Sequence, residues 1–124
     1  MALASETAGF QEVKFPMEID TKLCGEVVNP EDKVVIDGNS LKLKSAPSTP
    51  IFYSDLSGSS LVPASWSMAN EDTKLIIRET GNFRTDRINI WGVGHVISPE
   101  LFFPISLSKG EHITWSRKYH LGTF

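Results

Sequence analysis

The stretch KVVIDGNSLKLKS, residues 33–45, gives the clearest indication of the fold. Two short β-prone runs, residues 34–36 and 41–43, stand on either side of Asp37-Gly38-Asn39. Gly and Asn readily adopt the positive φ angles that a tight reversal between antiparallel strands requires. We therefore predict a β-hairpin in this stretch.

Similar runs follow one another along the rest of the chain. Apolar residues seldom recur at the three-and-four spacing of a helix, whereas alternating runs bounded by Gly, Pro, Asn or Ser are frequent. Turns are predicted at residues 80–82 and at Lys109-Gly110, and the count comes to about nine or ten strands. The runs outside the hairpin that we interpret as strands are residues 11–19, 22–28, 51–55, 61–69, 73–79, 83–91, 101–108 and 111–120.

The number of strands predicts the architecture. One open sheet would leave an apolar face in water, so two packed sheets or a closed barrel are the stable solutions. We predict a single all-β domain over residues 1–124, an antiparallel β-sandwich or jelly-roll-like barrel, with a β-trefoil as the alternative. Residues 1–9 are expected to form a flexible N-terminal tail. Prolines at 16, 63 and 104 fall in strand-like runs and are interpreted as edge protection.

Composition limits the classes of partner and the cellular compartment that we expect for this protein. The chain has 12 basic and 15 acidic residues, a net charge of -3, which disfavours nucleic acid as a partner. Cys24 is the single cysteine, so neither an intramolecular disulfide nor a cysteine zinc site is expected, and a reducing compartment is favoured. Without a signal-like or membrane-spanning run, we expect a soluble, cytoplasmic protein; secretion stays open if a leader has been removed.

Motifs that would indicate catalysis are weak. No G-x-S-x-G elbow accompanies the three histidines, His95, His112 and His120, and the glycines of residues 91–95 are too few for a phosphate loop. His112 and His120 lie about 25 Å apart along an extended strand, too far to share one ion. We expect no cofactor, no metal and no enzymatic activity, although metal-dependent chemistry stays open if the histidines converge with carboxylates.

Aromatic residues are the better candidates for a binding site. A tryptophan on an exposed β face can stack on a sugar ring or anchor a protein interface, whereas one or two of the three tryptophans are expected in the core. The candidate binding residues are Trp66, Trp91, His95, Trp115 and Tyr119.

The stretch TKLIIRETGNFRTDRINIWGVGHVI, residues 73–97, resembles the C-terminal half of the potato inhibitor I family of serine protease inhibitors. Residues 83–90 are similar to the strand that returns from the reactive loop in that family. The resemblance implies that Arg84, Arg87 and Asn89 support a rigid inhibitory loop. The chain departs from the family in having only four residues between Arg78 and Phe83 and no helix before residue 73. Candidate loops are instead residues 45–50 and 56–60.

Three functions are consistent with these features. The first is a non-catalytic recognition module with a protein or carbohydrate ligand, including a lectin-like sugar binder. The second is a protease inhibitor that acts through a rigid surface loop. The third is a structural or assembly subunit, viral or virion-associated, in which the apolar segment SPELFFPISL, residues 98–107, serves homo-oligomer contacts. For residues 83–91 the simpler interpretation is a strand whose Arg84, Asp86 and Arg87 form weak surface ion pairs.

Overall fold

The computed structural model describes the backbone of residues 3–4 and the whole of residues 12–94 and 96–124. These residues form eleven strands and no helix, and hence none of the described part is a helix that could span a membrane. The strands are β1 (Leu3–Ala4), β2 (Glu12–Lys14), β3 (Val27–Val28), β4 (Val34–Asp37), β5 (Ser40–Leu43), β6 (Ile51–Tyr53), β7 (Val62–Asn70), β8 (Leu75–Thr85), β9 (Ile88–Val93), β10 (Val96–Leu101) and β11 (Arg117–Thr123).

The strands form two separate antiparallel sheets. The five-stranded sheet has the order β1-β10-β9-β6-β3, and the six-stranded sheet has the order β11-β8-β7-β2-β5-β4. Each sheet ends in edge strands, so the fold is an open sandwich and neither a closed barrel nor a trefoil. The predicted all-β sandwich is confirmed.

A single apolar core lies between the sheets. Alternation is clearest in β7, where every second residue from Val62 to Asn70 is buried. Full burial of a large aliphatic side chain contributes about 1.5–3 kcal/mol to folding. The core residues come from both sheets and from the loops at their ends: Val13, Phe15, Ile19, Val34, Leu41, Leu43, Ile51, Tyr53, Leu56, Val62, Ala64, Trp66, Met68, Ile77, Ile88, Ile90, Ile97 and Leu101.

The hairpin predicted around residue 38 is confirmed. β4 and β5 pair up to Asp37 and Ser40, which leaves the two-residue turn Gly38-Asn39. Gly38 has a φ of 60°, and only the first central residue is in the positive region, which is the type II′ pattern. Asn39 then binds the chain after β2, because its Nδ2 donates to the carbonyl of Phe15 at 3.0 Å.

The turn predicted at residues 80–82 is wrong, because β8 passes through these residues without a break. Thr80 and Gly81 pair with Lys118 and Arg117 of β11, so a partner distant in sequence overrides the local preference for a turn. The chain reverses after Thr85 instead. There the Thr85 hydroxyl accepts from the Arg87 amide at 3.1 Å.

Several predicted strands are shorter than expected. The run 11–19 pairs only in β2, the run 22–28 only in β3, and the run 111–120 only in its last residues, where β11 begins. The run 101–108 is almost wholly outside the strands. The turn predicted at Lys109-Gly110 is present, and in it the amide of Glu111 donates to the carbonyl of Ser108 at 3.0 Å.

The interpretation of three prolines as protection of sheet edges is also corrected. Pro16 and Pro104 lie outside the strands. Pro63 lies in β7 opposite Arg84, where the register between β7 and β8 shifts, and β2 pairs with β7 only from residue 67 onward. Pro63 has no amide hydrogen, but β2 does not pair with β7 at this position, so no hydrogen bond between β7 and β2 is lost.

The predicted N-terminal tail, residues 1–9, is described only in part. Leu3 and Ala4 pair with Ile97 and Val96 as β1. The other residues of the predicted tail lie outside the described residues.

Replacement of a core residue should be far more costly than that of a surface residue of similar size. Ile90 is fully buried in the middle of the five-stranded sheet, whereas Leu23 is 67% exposed. We expect Ile90→Ala to lower the free energy of unfolding by about 2–5 kcal/mol, and Leu23→Ala to change it by about 0.5 kcal/mol or less. Urea denaturation measures both, and equal losses would contradict the core described above.

Candidate functional site

The structure separates the aromatic residues that were predicted to bind a ligand. Trp66 is 2% exposed and belongs to the core, which corrects its candidacy as a surface stacking residue. Trp91 is half-buried in the five-stranded sheet. Trp115 and Tyr119 are 46% and 45% exposed and lie near the C-terminus. His95 lies outside the described residues.

A buried carboxylate links three of the strands of the six-stranded sheet. Glu79 is 1% exposed, and its cross-strand neighbours are Trp66 on β7 and Tyr119 on β11. The indole Nε1 of Trp66 donates to Glu79 Oε2 at 2.9 Å, and the hydroxyl of Tyr119 donates to Oε1. Arg117 Nη1 lies 3.6 Å from Oε2. We call these four residues the Glu79 network.

The network satisfies a group that would otherwise destabilise the fold. A buried charge without partners is strongly unfavourable, and removal of one partner from a buried ion pair typically costs about 3–5 kcal/mol. Here both carboxylate oxygens are engaged, and no buried side-chain nitrogen or oxygen in the described residues is left without a partner. The network therefore fastens β11 to the sandwich.

The sequence does contain a signal for this network, in the run 73–79. Leu75, Ile77 and Glu79 alternate on one face of the run 73–79. A charged residue in phase with the apolar face of a strand indicates a buried, partnered group. Its partners could not be identified from the sequence, since Tyr119 lies 40 residues away.

Three aromatic rings hold the chain that precedes β11. Phe83 and Phe103 meet edge-to-face with ring centroids 4.8 Å apart, and Phe103 stacks on Trp115 at 4.7 Å. Arg117 lies over the Phe83 ring at 5.4 Å and donates through Nη2 to the carbonyl of Leu101 at 2.8 Å. Arg117 thus belongs to both the aromatic cluster and the Glu79 network.

Residues 102–124, which we call the C-terminal segment, expose an unusual amount of apolar surface. Of the thirteen large hydrophobic residues exposed in the described part of the chain, eight are in this segment. Residues 102–116 form no strand, and they contain a turn at residues 109–110. The eight are Phe102, Ile105, Leu107, Ile113, Trp115, Tyr119, Leu121 and Phe124.

The residues that the inhibitor resemblance singled out contact the two ends of the segment from Asp55 to Leu61. Asn89 Oδ1 accepts from the Asp55 amide at 3.0 Å, and Arg87 Nε lies 3.7 Å from Asp55 Oδ1. Arg84 Nη2 is 3.5 Å from the carbonyl of Leu61, at the far end of the same loop. Candidate loop 56–60 begins with Leu56 and Ser57, which are buried, so only its end protrudes.

Candidate loop 45–50 is held by a different carboxylate. Glu31 accepts from the amides of Ser48 and Thr49, at 2.9 Å and 3.0 Å, and from both hydroxyls. These hydrogen bonds, first of all those from Ser48, lower the pKa of Glu31 below its ordinary value. Pro47 in the same loop is buried, and its carbonyl accepts from the amide of Gly94 at 2.6 Å.

The groups that could perform chemistry lie apart from one another. Among the described residues, no three His, Cys, Asp or Glu side chains are close enough to bind a metal ion. Burial, and then the nearby Asp20 and Asp55, raise the pKa of the Cys24 thiol, which disfavours the reactive thiolate.

Comparison with known proteins adds no relative, since no family model, curated protein or solved structure matches the chain.

The Tyr119 hydroxyl should make stability sensitive to alkaline pH. Burial, followed by the hydrogen bond to Glu79, raises the pKa of Tyr119. The folded-state pKa of Tyr119 therefore lies above the unfolded-state value of about 10. The contribution of the protonated hydroxyl to the free energy of unfolding is fully present below pH 10, and it is lost as pH rises through the folded-state pKa. We expect Tyr119→Phe to destabilise the protein by about 1 kcal/mol at neutral pH, and by less above the folded-state pKa.

Urea denaturation across pH, with tyrosinate absorbance to follow ionisation, measures both effects. Lys118→Ala is the control, because Lys118 is next in sequence but faces away from Glu79. Equal stability of Tyr119→Phe and wild type at neutral pH would contradict the role of the hydroxyl.

Proposed function

We propose that the protein is a non-catalytic assembly subunit that associates with further copies of itself through its C-terminal segment. The observation that carries the proposal is the concentration of exposed hydrophobic residues in residues 102–124. A concentration of exposed apolar residues on a folded chain marks a site of protein contact. The proposed setting is the cytoplasm, where the lone Cys24 would stay reduced.

The neighbours of Trp115 favour a protein partner over a sugar. A sugar site combines an aromatic platform with converging hydrogen-bond donors and acceptors. Trp115 has Phe103 stacked on it, and the Phe103 ring contacts Phe83 in turn. A hot spot for protein association has this composition, with aromatic residues clustered and an arginine, here Arg117, beside them.

The geometry of the segment supports a second copy as the partner. Symmetric homo-oligomers are the commonest soluble assemblies. Exchange of a segment between identical chains, known as domain swapping, readily produces them. Residues 104–114 form no strand and are exposed, while the stacking of Phe103 on Trp115 and the pairing of β11 with β8 hold both ends of this stretch. An exposed apolar loop on a fixed base is suited to contact with a neighbouring copy.

Polar substitution in the segment should weaken self-association. Leu121 is 75% exposed, and removal of one such side chain from an interface costs about 1.5–3 kcal/mol, which is about ten- to a hundredfold in Kd. We expect wild type to form dimers or larger oligomers in sedimentation equilibrium, and Leu121→Ser to dissociate at correspondingly lower concentration. Leu23→Ser, at an exposed residue outside the segment, is the control.

A wild-type chain that stays monomeric at the highest attainable concentration would contradict the proposal. So would equal weakening by the two substitutions.

A second candidate function is protease inhibition through residues 55–61. The observation that favours it is the support of this loop by Arg87 and Asn89, which bind its first residue, Asp55. A loop held rigid in this way binds a protease without a large loss of conformational entropy. Its exposed end, from Ser59 to Leu61, is small enough to enter a cleft.

Arg87→Ala should convert such an inhibitor into a substrate. Loss of the supporting side chain frees the loop, so we expect weaker inhibition and faster cleavage between residues 57 and 61, which mass spectrometry locates. Lys44→Ala, remote from the loop, should leave inhibition unchanged. If serine and cysteine proteases all keep full activity in excess protein, this candidate is excluded.

A further inference from the structure

The outer face of the six-stranded sheet brings together two cationic side chains and three hydroxyls. Lys14 on β2 is paired with Ser67 on β7, and Ser67 is paired with Arg78 on β8. Two residues further along each strand, Ser65 is paired with Thr80. These five residues line one shallow depression, together with Phe15, Pro16, Trp66 and Glu79.

Strand alternation turns all five residues away from the core. Trp66 and Glu79, their neighbours in sequence, are buried and face the five-stranded sheet. The Glu79 carboxylate is therefore on the opposite side of the sheet, where it binds Trp66 and Tyr119. No other acidic residue lines this depression.

The positive charge on this face is only partly neutralised. Within the described residues, Arg78 and Lys118 make no ion pair or side-chain hydrogen bond, whereas Lys14 pairs with Glu12 at 3.2 Å. Lys118 is paired with Thr80, and His120 with Arg78, so β11 adds basic residues to the same face. Glu12 and Glu71 line an adjoining depression with Lys14, Ser67 and Arg78, and both are paired with lysines, Glu12 with Lys14 and Lys42 and Glu71 with Lys74.

The spacing of these groups fits a tetrahedral oxyanion. Neighbouring strands lie about 4.8 Å apart, so the strands of Lys14 and Arg78 are separated by roughly 9.6 Å with Ser67 between them. Both side chains can bend over that gap to bind one group from its two sides. Arginine presents a planar fork to phosphate-like oxygens, lysine adds a mobile charge, and hydroxyls donate to the remaining oxygens.

We propose that this depression is a binding site for the phosphate or sulfate ester group of a small molecule. Arg78 and Lys14 bind the oxygens from opposite sides, and Ser67 donates from below. Ser65 and Thr80 complete the site. This binding is independent of self-association, because the five lining residues belong to β2, β7 and β8 and none belongs to the C-terminal segment.

Titration with methyl phosphate and methyl sulfate, followed by amide chemical shifts, tests the site. We expect saturable shifts at residues 14, 65, 67, 78 and 80 with at least one of the two esters. Arg78→Gln should weaken binding about tenfold or more, the effect of losing one charge-assisted pair. Lys22→Gln, which removes the same charge from a residue outside the depression, should leave the affinity unchanged.

Comparison of the two esters distinguishes phosphate from sulfate as the preferred group. Arg78 is exposed, so circular dichroism and urea denaturation of Arg78→Gln should match wild type and exclude misfolding. Leu121→Ser should bind the ester as wild type does, so failure of self-association leaves this result unaffected. The proposal is overturned if neither ester gives saturable shifts at these residues, or if Arg78→Gln and Lys22→Gln weaken binding equally.

Discussion

The buried carboxylate of Glu79 is the constraint on which the attachment of β11 and of the C-terminal segment depends. β11 has one neighbouring strand, β8, and most of its residues are exposed. Apolar burial therefore contributes little to its attachment. The indole of Trp66, the hydroxyl of Tyr119 and the guanidinium of Arg117 converge on Glu79 instead. Because an unpartnered buried charge is so unfavourable, the sandwich is most stable with β11 in place.

Two surfaces with different chemistry follow from that attachment. On the inner side of β8 and β11, Arg117 and the stacked rings of Phe103 and Trp115 fix the base of the C-terminal segment. On the outer side, the same pairing of β8 with β11 places Lys118 and His120 beside Thr80 and Arg78. The apolar segment is the part of the molecule that we propose for assembly. The basic face of the sheet is the part that we propose for an ester group.

Local chemistry explains how much of this could be predicted from the sequence. The hairpin at Gly38 and the all-β class depend on neighbouring residues, so they were predictable. The continuity of β8 through Gly81 was not, since it depends on pairing with Arg117, distant in the sequence. Trp66 and Trp115 belong to similar alternating runs, yet Trp66 lies in the core and Trp115 lies on the surface. The proposed ester site lies across three strands, and only their register brings Lys14 close to Arg78.

Native-state hydrogen exchange of Glu79→Gln tests the central role of this carboxylate most directly. The substitution keeps the size of the side chain and removes its charge, so the attraction of Arg117 is lost. We expect faster exchange of the amides of residues 117–123, while the amides of β9 keep their protection relative to one another. Unchanged protection of β11 in the variant would contradict this role of Glu79, because β11 would then be attached without the Glu79 charge.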